Sequence, residues 1–198
     1  MERKHTNTQS GERNNRTDRT SSSERGGERA NKRGRKQTEY GRQLEEKQKV
    51  KEIYGVRERQ FKRFFESASR KRAATGETLL SLLERRLDNT LFRLKMAGTR
   101  KQARQVIVHG HVLVNGKRVS SPSFLVDLSD EISLGANVVN KTIFLEQVVD
   151  KRLQSGVKVP EWLELDKKER KGRVLRLPVR SDIQTPIEEH LIIELFSK

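Results

Sequence analysis

The stretch Thr99–Val119, TRKQARQVIVHGHVLVNGKRV, decides the fold of this 198-residue chain. Thr99 and Gln102 have the residue types and the spacing of a capping box, so a helix is predicted to begin directly after Thr99. Gly110 ends this helix, because glycine readily adopts the left-handed conformation that follows many helices. Asn115-Gly116 lies between two β-rich runs and predicts a tight hairpin. A short helix is therefore followed at once by two antiparallel strands.

Three further helices are predicted before this stretch. Phe61, Phe64 and Phe65 recur at the spacing of one helical face, which we expect to pack in a core. Thr78 can cap a long third helix, and Gly98 is expected in the left-handed conformation that ends it. The predicted helices span residues 40–54, 57–69, 78–97 and, within the deciding stretch, 100–109.

After the helix predicted at 100–109, most of the predicted elements up to residue 134 are short strands. The predicted strands are 112–114, 117–119, 124–126 and 131–134. A helix is predicted at 142–153, a turn-rich segment at 159–166 and a β-rich apolar run at 191–196. Helices and strands that are segregated along the chain predict the α+β class. We expect a helical domain and a small module in which two helices precede an antiparallel sheet.

Residues 1–36 contain no Val, Ile, Leu, Phe, Tyr or Trp. Without apolar side chains nothing offsets the entropy of ordering, so these residues are predicted to form a disordered basic arm in isolation. The predicted domains are this arm (1–36), a helical domain (37–84) completed by the C-terminal segment 160–198, and the helix–helix–sheet module with its extension (85–150).

The charge of the chain indicates a polyanionic partner. Lys and Arg number 43 against 27 Asp and Glu, which gives a net charge of +16. The segment from Thr99 to Arg118 holds five basic residues and no acid. A charged helical face is often merely solvated, but an acid-free basic segment repels itself, so nucleic-acid binding is the favoured interpretation. No apolar run approaches the roughly 20 residues of a membrane helix.

Neither a metal site nor a catalytic site is predicted. The chain has no cysteine, which excludes disulfides and thiolate ligands. His109 and His111 without convergent carboxylates are an incomplete ligand set. No glycine-rich phosphate loop, nucleophile elbow or HExxH motif is present. Asp88, in Arg86-Leu87-Asp88, is expected to orient an arginine rather than to transfer protons.

Several segments resemble a known family. Glu84–Asn89, Thr99–Arg104 and Val108–Lys117 resemble the small RNA-binding module named after the fourth protein of the small ribosomal subunit. That module also occurs in pseudouridine synthases, some tyrosyl-tRNA synthetases and a ribosome-rescue heat-shock protein. The flanks resemble the bacterial type of the ribosomal protein itself, namely Tyr40–Gly41, Glu45–Lys49, Tyr54–Phe61, Val159–Asp166, Leu175–Pro178 and Leu191–Leu195.

The resemblance, which covers residues 36–198, implies a structural constituent of the small ribosomal subunit with no catalysis and no cofactor. Its family binds 16S-type ribosomal RNA directly at a multi-helix junction, nucleates assembly of the subunit body and contributes to translational accuracy. The other implied partners are neighbouring small-subunit proteins, notably the fifth, and the protein's own messenger RNA. A cytoplasmic location is expected, with no membrane contact and no stable homo-oligomer. Many relatives begin with a cysteine-rich, sometimes zinc-binding segment, which is missing here, so no metal is expected.

Candidate RNA contacts lie within the stretch 99–119 and before it. Those in the module are Arg86, Arg93, Thr99, Arg100, Lys101, Arg104, His111, Asn115, Lys117 and Arg118. Those in the helical region are Arg42, Lys47, Lys49, Arg57, Lys62 and Arg63. Changing Arg100 and Arg104 to Glu is expected to weaken RNA binding and to leave the fold intact.

Two functions of other classes stay open at the level of the sequence. An RNA-modifying enzyme that carries the same module would need a separate, larger catalytic domain, for which the chain has little room. A general nucleic-acid binder would show no preference for folded RNA over duplex DNA of equal length.

Overall fold

The computed structural model describes residues 38–71, 73–135, 149, 152 and 158–197. Within these ranges the chain forms six α-helices and a five-stranded antiparallel sheet, which confirms the predicted α+β class. The predicted arm at 1–36 and most of the predicted helix at 142–153 lie outside the described residues. Among the helices that are described, none combines the length and the apolar character needed to cross a membrane.

Two of the predicted helices are confirmed near the N-terminal end of the described chain. Helix α1 (Glu39–Tyr54) begins after Thr38, whose Oγ1 accepts a backbone N–H at 3.2 Å, and it ends at Gly55 with a φ of +59°. Helix α2 (Glu58–Ser69) follows after a short connection and buries Phe61. The phenylalanine spacing therefore marks a core face, as predicted.

The predicted helix at 78–97 is wrong in that it is two helices. Helix α3 spans Thr75–Glu84 and helix α4 spans Leu87–Arg93. Arg86 between them has an extended backbone, with φ −62° and ψ 135°. Leucines recur at helical spacing through residues 78–97, and those on both sides of the break are buried, so their spacing does not reveal it: Leu80, Leu83, Leu87, Leu91 and Leu94.

A neighbouring segment occupies the break between α3 and α4. The N–H of Val126 donates to the carbonyl of Arg85 at 2.9 Å, and Leu125 forms an isolated antiparallel bridge with Arg86. The predicted strand at 124–126 is therefore wrong. Its backbone groups pair with backbone groups at the adjoining ends of the two helices and not with a neighbouring strand.

The turn after α4 also differs from the prediction. Lys95 takes the left-handed conformation, with a φ of +62°, and Gly98 does not. Thr99 Oγ1 accepts the Gln102 N–H at 3.1 Å, as a capping box requires, but Gln102 Oε1 accepts the N–H of Gly98 at 2.6 Å. The box is thus confirmed in its Thr99 half, and it opens helix α5 (Arg100–Val108).

The predicted hairpin is confirmed. Strand β1 (Val112–Val114) pairs with β2 (Lys117–Val119) around Asn115 and Gly116, whose φ angles are +51° and +75°. Two successive positive φ angles are what a type I′ turn requires. Strand β3 (Glu131–Leu134), which is also confirmed, pairs with the other edge of β1.

Two later strands widen the sheet. Strands β4 (Leu163–Asp166) and β5 (Lys171–Val174) join it in the order β2-β1-β3-β5-β4, with every pair antiparallel. The prediction of turns throughout 159–166 is therefore wrong. The alternation of Leu163 and Leu165 with acidic residues is a period-two signal that could have revealed β4.

The apolar run at 191–196 is helical and not β-rich. A short 3-10 turn (Arg180–Asp182) precedes helix α6 (Glu189–Ser197). Leu191 and Ile192 are buried, and the ring of Phe196 stacks on a phenylalanine of α2 with 4.4 Å between the centroids. Packing against other helices overrides the β preference of Ile and Phe here.

The described residues form two hydrophobic cores. The sheet core joins α4, α5 and the sheet, and Trp162 is fully buried in it. The helical core joins α1, α2 and α3 with Ile183, Ile187 and Ile192. The segment after residue 158 thus contributes to both cores. The division of the chain into an arm and two domains stays a prediction.

Candidate nucleic-acid interface

Exposed cations of the deciding stretch lie at both ends of α5. Lys101 is exposed in its first turn, and Lys117 and Arg118 are exposed on β2. Arg118 Nη2 donates to the carbonyl of His109 at 3.3 Å, which places β2 beside the C-terminal end of α5. With a rise of 1.5 Å per residue, Lys101 lies about 12 Å away along the helix axis. Within the described ranges none of these three cations has an ion-pair partner.

Four predicted contacts of the helical region are open to solvent. Arg57, Lys62 and Arg63 are exposed on or just before α2. Arg42 on α1 is half-exposed, and its guanidinium lies 3.8 Å from a carboxylate oxygen of Glu39. The exposed cations of this region are therefore concentrated on α2.

Lys47 and Lys49 have partners within the protein, and Lys47 is the more buried of the two. Lys47 Nζ lies 2.8 Å from Glu58 Oε1, and its side chain is only 13% exposed. Lys49 Nζ donates to the carbonyl of Pro186 at 2.6 Å. Hydrogen bonds from Lys47 and Lys51 lower the pKa of Glu58 below its ordinary value. These contacts tie α1 to α2 and to the C-terminal segment.

Asp88 lies at the centre of a buried group of charges. Its side chain is fully buried and accepts Arg86 Nε at 3.0 Å, Arg86 Nη2 at 2.8 Å, Arg104 Nε at 2.7 Å and the Asn89 N–H at 2.8 Å. Arg104 Nη2 also donates to the carbonyl of Tyr54 at 2.6 Å, which ties α5 to the end of α1. The prediction that Asp88 orients an arginine is confirmed.

Glu84 is a second buried carboxylate beside this group. It accepts the Tyr54 hydroxyl at 2.7 Å, Asn89 Nδ2 at 2.7 Å, and Arg93 through Nη2 at 2.7 Å and Nε at 3.1 Å. Asn89 Oδ1 in turn accepts Arg100 Nε at 2.8 Å. Burial lowers the pKa of Arg100 below the ordinary value for arginine. We call these residues the buried network: Tyr54, Glu84, Arg86, Asp88, Asn89, Arg93, Arg100 and Arg104.

Four arginines predicted to contact RNA belong to the buried network. Arg86 is only 2% exposed, and Arg93, Arg100 and Arg104 are partly buried. Because Arg100 and Arg104 have partners in the buried network, we expect reversal of both charges to destabilise the fold, contrary to the expectation from the sequence. A glutamate at position 104 would place a second carboxylate beside Asp88, with Arg86 as the one remaining arginine on Asp88, so a loss of RNA binding would not distinguish a lost contact from a disturbed fold.

The sequence predicted one acidic partner of these arginines, Asp88, but it did not reveal Glu84 or the hydrogen bond between Glu84 and Tyr54. Tyr54 and Glu84 lie 30 positions apart, and their hydrogen bond forms only when α1 packs on α3. A pair so far apart in the sequence is not indicated by any spacing between neighbouring residues. Asp88 could be suspected because it follows Arg86 by two positions, which is within reach of one side chain.

Two of the remaining candidates, Asn115 and Thr99, take part in local structure. Asn115 Nδ2 donates to Asp130 Oδ1 at 2.7 Å, and its Oδ1 accepts an N–H of β3 at 2.9 Å, so this side chain holds the hairpin turn. Thr99 caps α5. His111 is partly buried, with its ring 6.0 Å from that of His109. In the part of the chain that the structure describes, no group of three or more His, Cys, Asp or Glu could hold a metal ion.

The Tyr54 hydroxyl offers a test of the buried network. Tyr54→Phe is expected to lower the free energy of unfolding by about 1.5 kcal/mol near pH 8, because a hydrogen bond to a charged acceptor is lost. Burial, and next the charge of Glu84, raise the pKa of Tyr54 above its ordinary value. The unfolded chain therefore loses its phenolic proton first above about pH 10, and the stability contributed by Tyr54 declines there.

The measurement is urea unfolding of both proteins near pH 8 and near pH 11. The difference between them should shrink at the higher pH. Tyr40→Phe is the control, because Tyr40 is 58% exposed and should change little at either pH. A difference that stays constant between the two pH values would contradict the raised pKa.

Comparisons with known proteins cover most of the chain. A family model described as "S4 domain" matches residues 85–132, and one described as "Ribosomal protein S4/S9 N-terminal domain" matches residues 2–84. The second match includes the stretch that the sequence predicts as a basic arm.

Three similar curated proteins are each named small ribosomal subunit protein uS4. The protein from Thermoanaerobacter sp. (strain X514) is 54% identical over 164 residues, which cover 83% of this chain and 77% of the relative. The one from Natranaerobius thermophilus is 51% identical over 164 residues, 82% and 77% of the two chains. The one from Halothermothrix orenii is 47% identical over 167 residues, 84% and 79% of the two chains.

Proposed function

Because this chain belongs to the family of small ribosomal subunit protein uS4, we propose that it is a structural constituent of the small ribosomal subunit that binds ribosomal RNA and performs no catalysis. One observation in particular supports the proposal that the chain binds RNA. The acid-free segment 99–118 folds into regular elements that expose Lys101, Lys117 and Arg118 without an ion-pair partner among the described residues. Cations held on a helix and a strand can contact phosphates at defined positions.

The buried network supports this surface from within. Its four arginines outnumber its two carboxylates, Glu84 and Asp88, so the interior beneath α5 carries an excess of two positive charges. Hydrogen bonds of the network connect α1, α3, α4 and α5. We infer that it fixes the helices that present the exposed cations and adds to their positive field.

The proposed RNA contacts fall into two groups. Direct phosphate or ribose contact is proposed for exposed or partly exposed side chains: Arg42, Arg57, Lys62, Arg63, Thr99, Lys101, His111, Lys117 and Arg118. A positioning role is proposed for those with internal partners: Lys47, Lys49, Arg86, Arg93, Arg100, Arg104 and Asn115. Affinity would come largely from the release of counterions from the RNA.

Finer features of the function are proposed from the family resemblance. The protein would bind a multi-helix junction of 16S-type RNA early in assembly, nucleate the subunit body and contribute to translational accuracy. It would contact neighbouring small-subunit proteins, notably the fifth, and bind its own messenger RNA. It would act in the cytoplasm, away from membranes, and would not form a stable homo-oligomer.

The first experiment compares two ligands of the full chain across a salt series. One is a 16S RNA fragment that contains the junction, and the other is duplex DNA of equal length. A preference for the junction of roughly 10³ or more, with affinity that falls steeply as salt rises, supports the proposal. Equal affinity for both would favour the general nucleic-acid binder.

Charge reversal on the exposed surface tests the assigned contacts. Lys101→Glu combined with Lys117→Glu is expected to weaken junction binding about 10- to 100-fold and to reduce the salt slope by about two, because two phosphate contacts are lost. The readout is binding across the salt series, with circular dichroism to confirm that the fold persists. The control is Lys167→Glu with Lys168→Glu, which changes the net charge equally at the turn after β4, on the opposite edge of the sheet from β2. Equal weakening by both pairs would mean that net charge alone drives binding.

A further inference from the structure

The hairpin turn between β1 and β2 contains a chemically labile pair of residues, Asn115 and Gly116. Asparagine is one of the thermolabile residues, because the backbone nitrogen of the next residue can attack the carbonyl carbon of its side chain. Glycine has no Cβ to hinder that attack. Apart from chain neighbours, no heavy atom of the described residues lies within 4 Å of the place where a Cβ of Gly116 would be. Asn115 is the one asparagine of the chain that a glycine follows, and it is exposed to water.

Three hydrogen bonds join Asn115 to the beginning of β3. Its backbone N–H donates to the carbonyl of Glu131 at 2.8 Å. Its side-chain Nδ2 donates to Asp130 Oδ1 at 2.7 Å, and its Oδ1 accepts the N–H of Glu131 at 2.9 Å. Both polar atoms of the side-chain amide are therefore held by β3 and by the residue before it, so the amide cannot turn toward Gly116 without breaking these bonds.

The carboxylate of Asp130 is itself fixed in place. Its Oδ2 accepts the N–H of Asp127 at 2.7 Å, and its backbone N–H donates to the carbonyl of Asp127 at 3.2 Å. The turn 127–130 thus orients the carboxylate toward Asn115. A hydrogen bond to a charged acceptor is stronger than one between neutral groups. The contact with Asp130 is therefore the strongest of the restraints on the Asn115 amide.

We propose that Asn115-Gly116 is a site of spontaneous deamidation and that Asp130 protects it in the folded chain. In an unprotected chain the nitrogen of Gly116 attacks Cγ of Asn115, and a five-membered imide forms. The bond between Cγ and Nδ2 breaks, and ammonia leaves with the proton of the Gly116 N–H. Water then opens the ring at either of its two carbonyls, which leaves aspartate or isoaspartate at position 115. No atom is oxidised or reduced.

Neither product fits the hairpin. Aspartate at position 115 replaces the Nδ2 donor by an oxygen and places a second carboxylate against Asp130. Isoaspartate routes the backbone through the former side chain, and it adds one carbon to a turn that needs two successive positive φ angles. The turn positions β2, which carries Lys117 and Arg118. Deamidation in a chain that stays unfolded would therefore damage the strand that presents two of the exposed cations.

Peptide mass spectrometry of the full chain tests the labile site. The chain is kept near pH 8 in buffer, where it is folded, and in guanidinium chloride, where it is unfolded. The readout is loss of the amide of Asn115 in the tryptic peptide 105–117, with isoaspartate detected by enzymatic methylation. In denaturant, Asn115 should deamidate faster than Asn89, and Gly116→Ala should slow it. In buffer the reaction at Asn115 should be slower by about 100-fold or more, because it must wait for local opening of the turn.

A variant of Asp130 tests the protection. Asp130→Ala should speed deamidation of Asn115 in buffer about 10- to 100-fold, because the loss of a hydrogen bond to a charged group makes opening more frequent. Asp127→Ala is the matched control, since that side chain contacts Arg85 and the N–H of Leu128 and not Asn115. Circular dichroism checks that both variants are folded. If alanine unfolds the chain, Asp130→Asn keeps the size of the side chain, and it should speed the reaction in the same direction but by less.

Three results would each overturn a part of the proposal. Equal rates for the wild type in buffer and in denaturant would overturn the protection by the fold. A rate in denaturant no higher at Asn115 than at Asn89 would overturn the labile site. Equal rates in buffer for the folded variants of Asp130 and Asp127 would overturn the assignment of the protection to Asp130.

Discussion

Asp88→Ala is expected to lower the free energy of unfolding by about 3–5 kcal/mol, because it leaves two buried or partly buried arginines without their carboxylate. Asp88 is fully buried and accepts four hydrogen bonds, three of them from Arg86 and Arg104. Arg86 is only 2% exposed, so its guanidinium cannot turn to water without disturbing the break between α3 and α4. The measurement is urea unfolding followed by circular dichroism.

Asp127→Ala is the matched control for this substitution. Asp127 also pairs with an arginine, Arg85, at 3.4 Å, but its side chain is 70% exposed. An exposed pair of this kind contributes about 0–1 kcal/mol. Similar losses for the two variants would show that burial of Asp88 does not govern its effect.

A second large effect is expected in the sheet core. Trp162 is fully buried, and Trp162→Ala should lower the free energy of unfolding by about 3–5 kcal/mol through the cavity it leaves. Trp162 directly precedes β4, and its carbonyl accepts the N–H of Leu175 at 3.0 Å just after β5. The loss should therefore extend to the outer strands, and urea unfolding of the two proteins measures it.

Trp162→Phe separates volume from hydrogen bonding. Trp162 Nε1 is buried without a partner among the described residues, so phenylalanine keeps much of the ring and removes an unpaired donor. We expect less than half the loss seen with alanine. If Trp162→Ala cost under about 1 kcal/mol, β4 and β5 would not belong to the cooperatively folded unit.

The two carboxylates of the buried network explain why so many arginines of this chain are not free for RNA. Glu84 and Asp88 together bind side chains of Arg86, Arg93 and Arg104. A basic protein that relies on electrostatic attraction must also hold its cations apart and in place. Here a few buried acids fix the inner arginines, and the outer ones face solvent.

Much of the fold could be predicted because its signals are local. The Thr99 cap, the Asn115-Gly116 turn and the phenylalanine spacing of α2 each act within a few residues, and all three are confirmed. The charge of segment 99–118 is also a local signal, and it indicates a polyanionic partner independently of the fold. These features together determined the helix and hairpin at the centre of the module and its attraction to a polyanion.

Only the tertiary structure decided three other features. The helix break at Arg86 exists because segment 122–126 pairs there, and α6 is helical because α1, α2 and α3 cover its apolar side. The split between buried and exposed arginines depends on Glu84 and Asp88, whose partners come from α1 and α5. Such outcomes follow from hydrogen-bond acceptors and apolar surfaces supplied by distant parts of the chain. A pattern that spans only neighbouring residues does not contain that information.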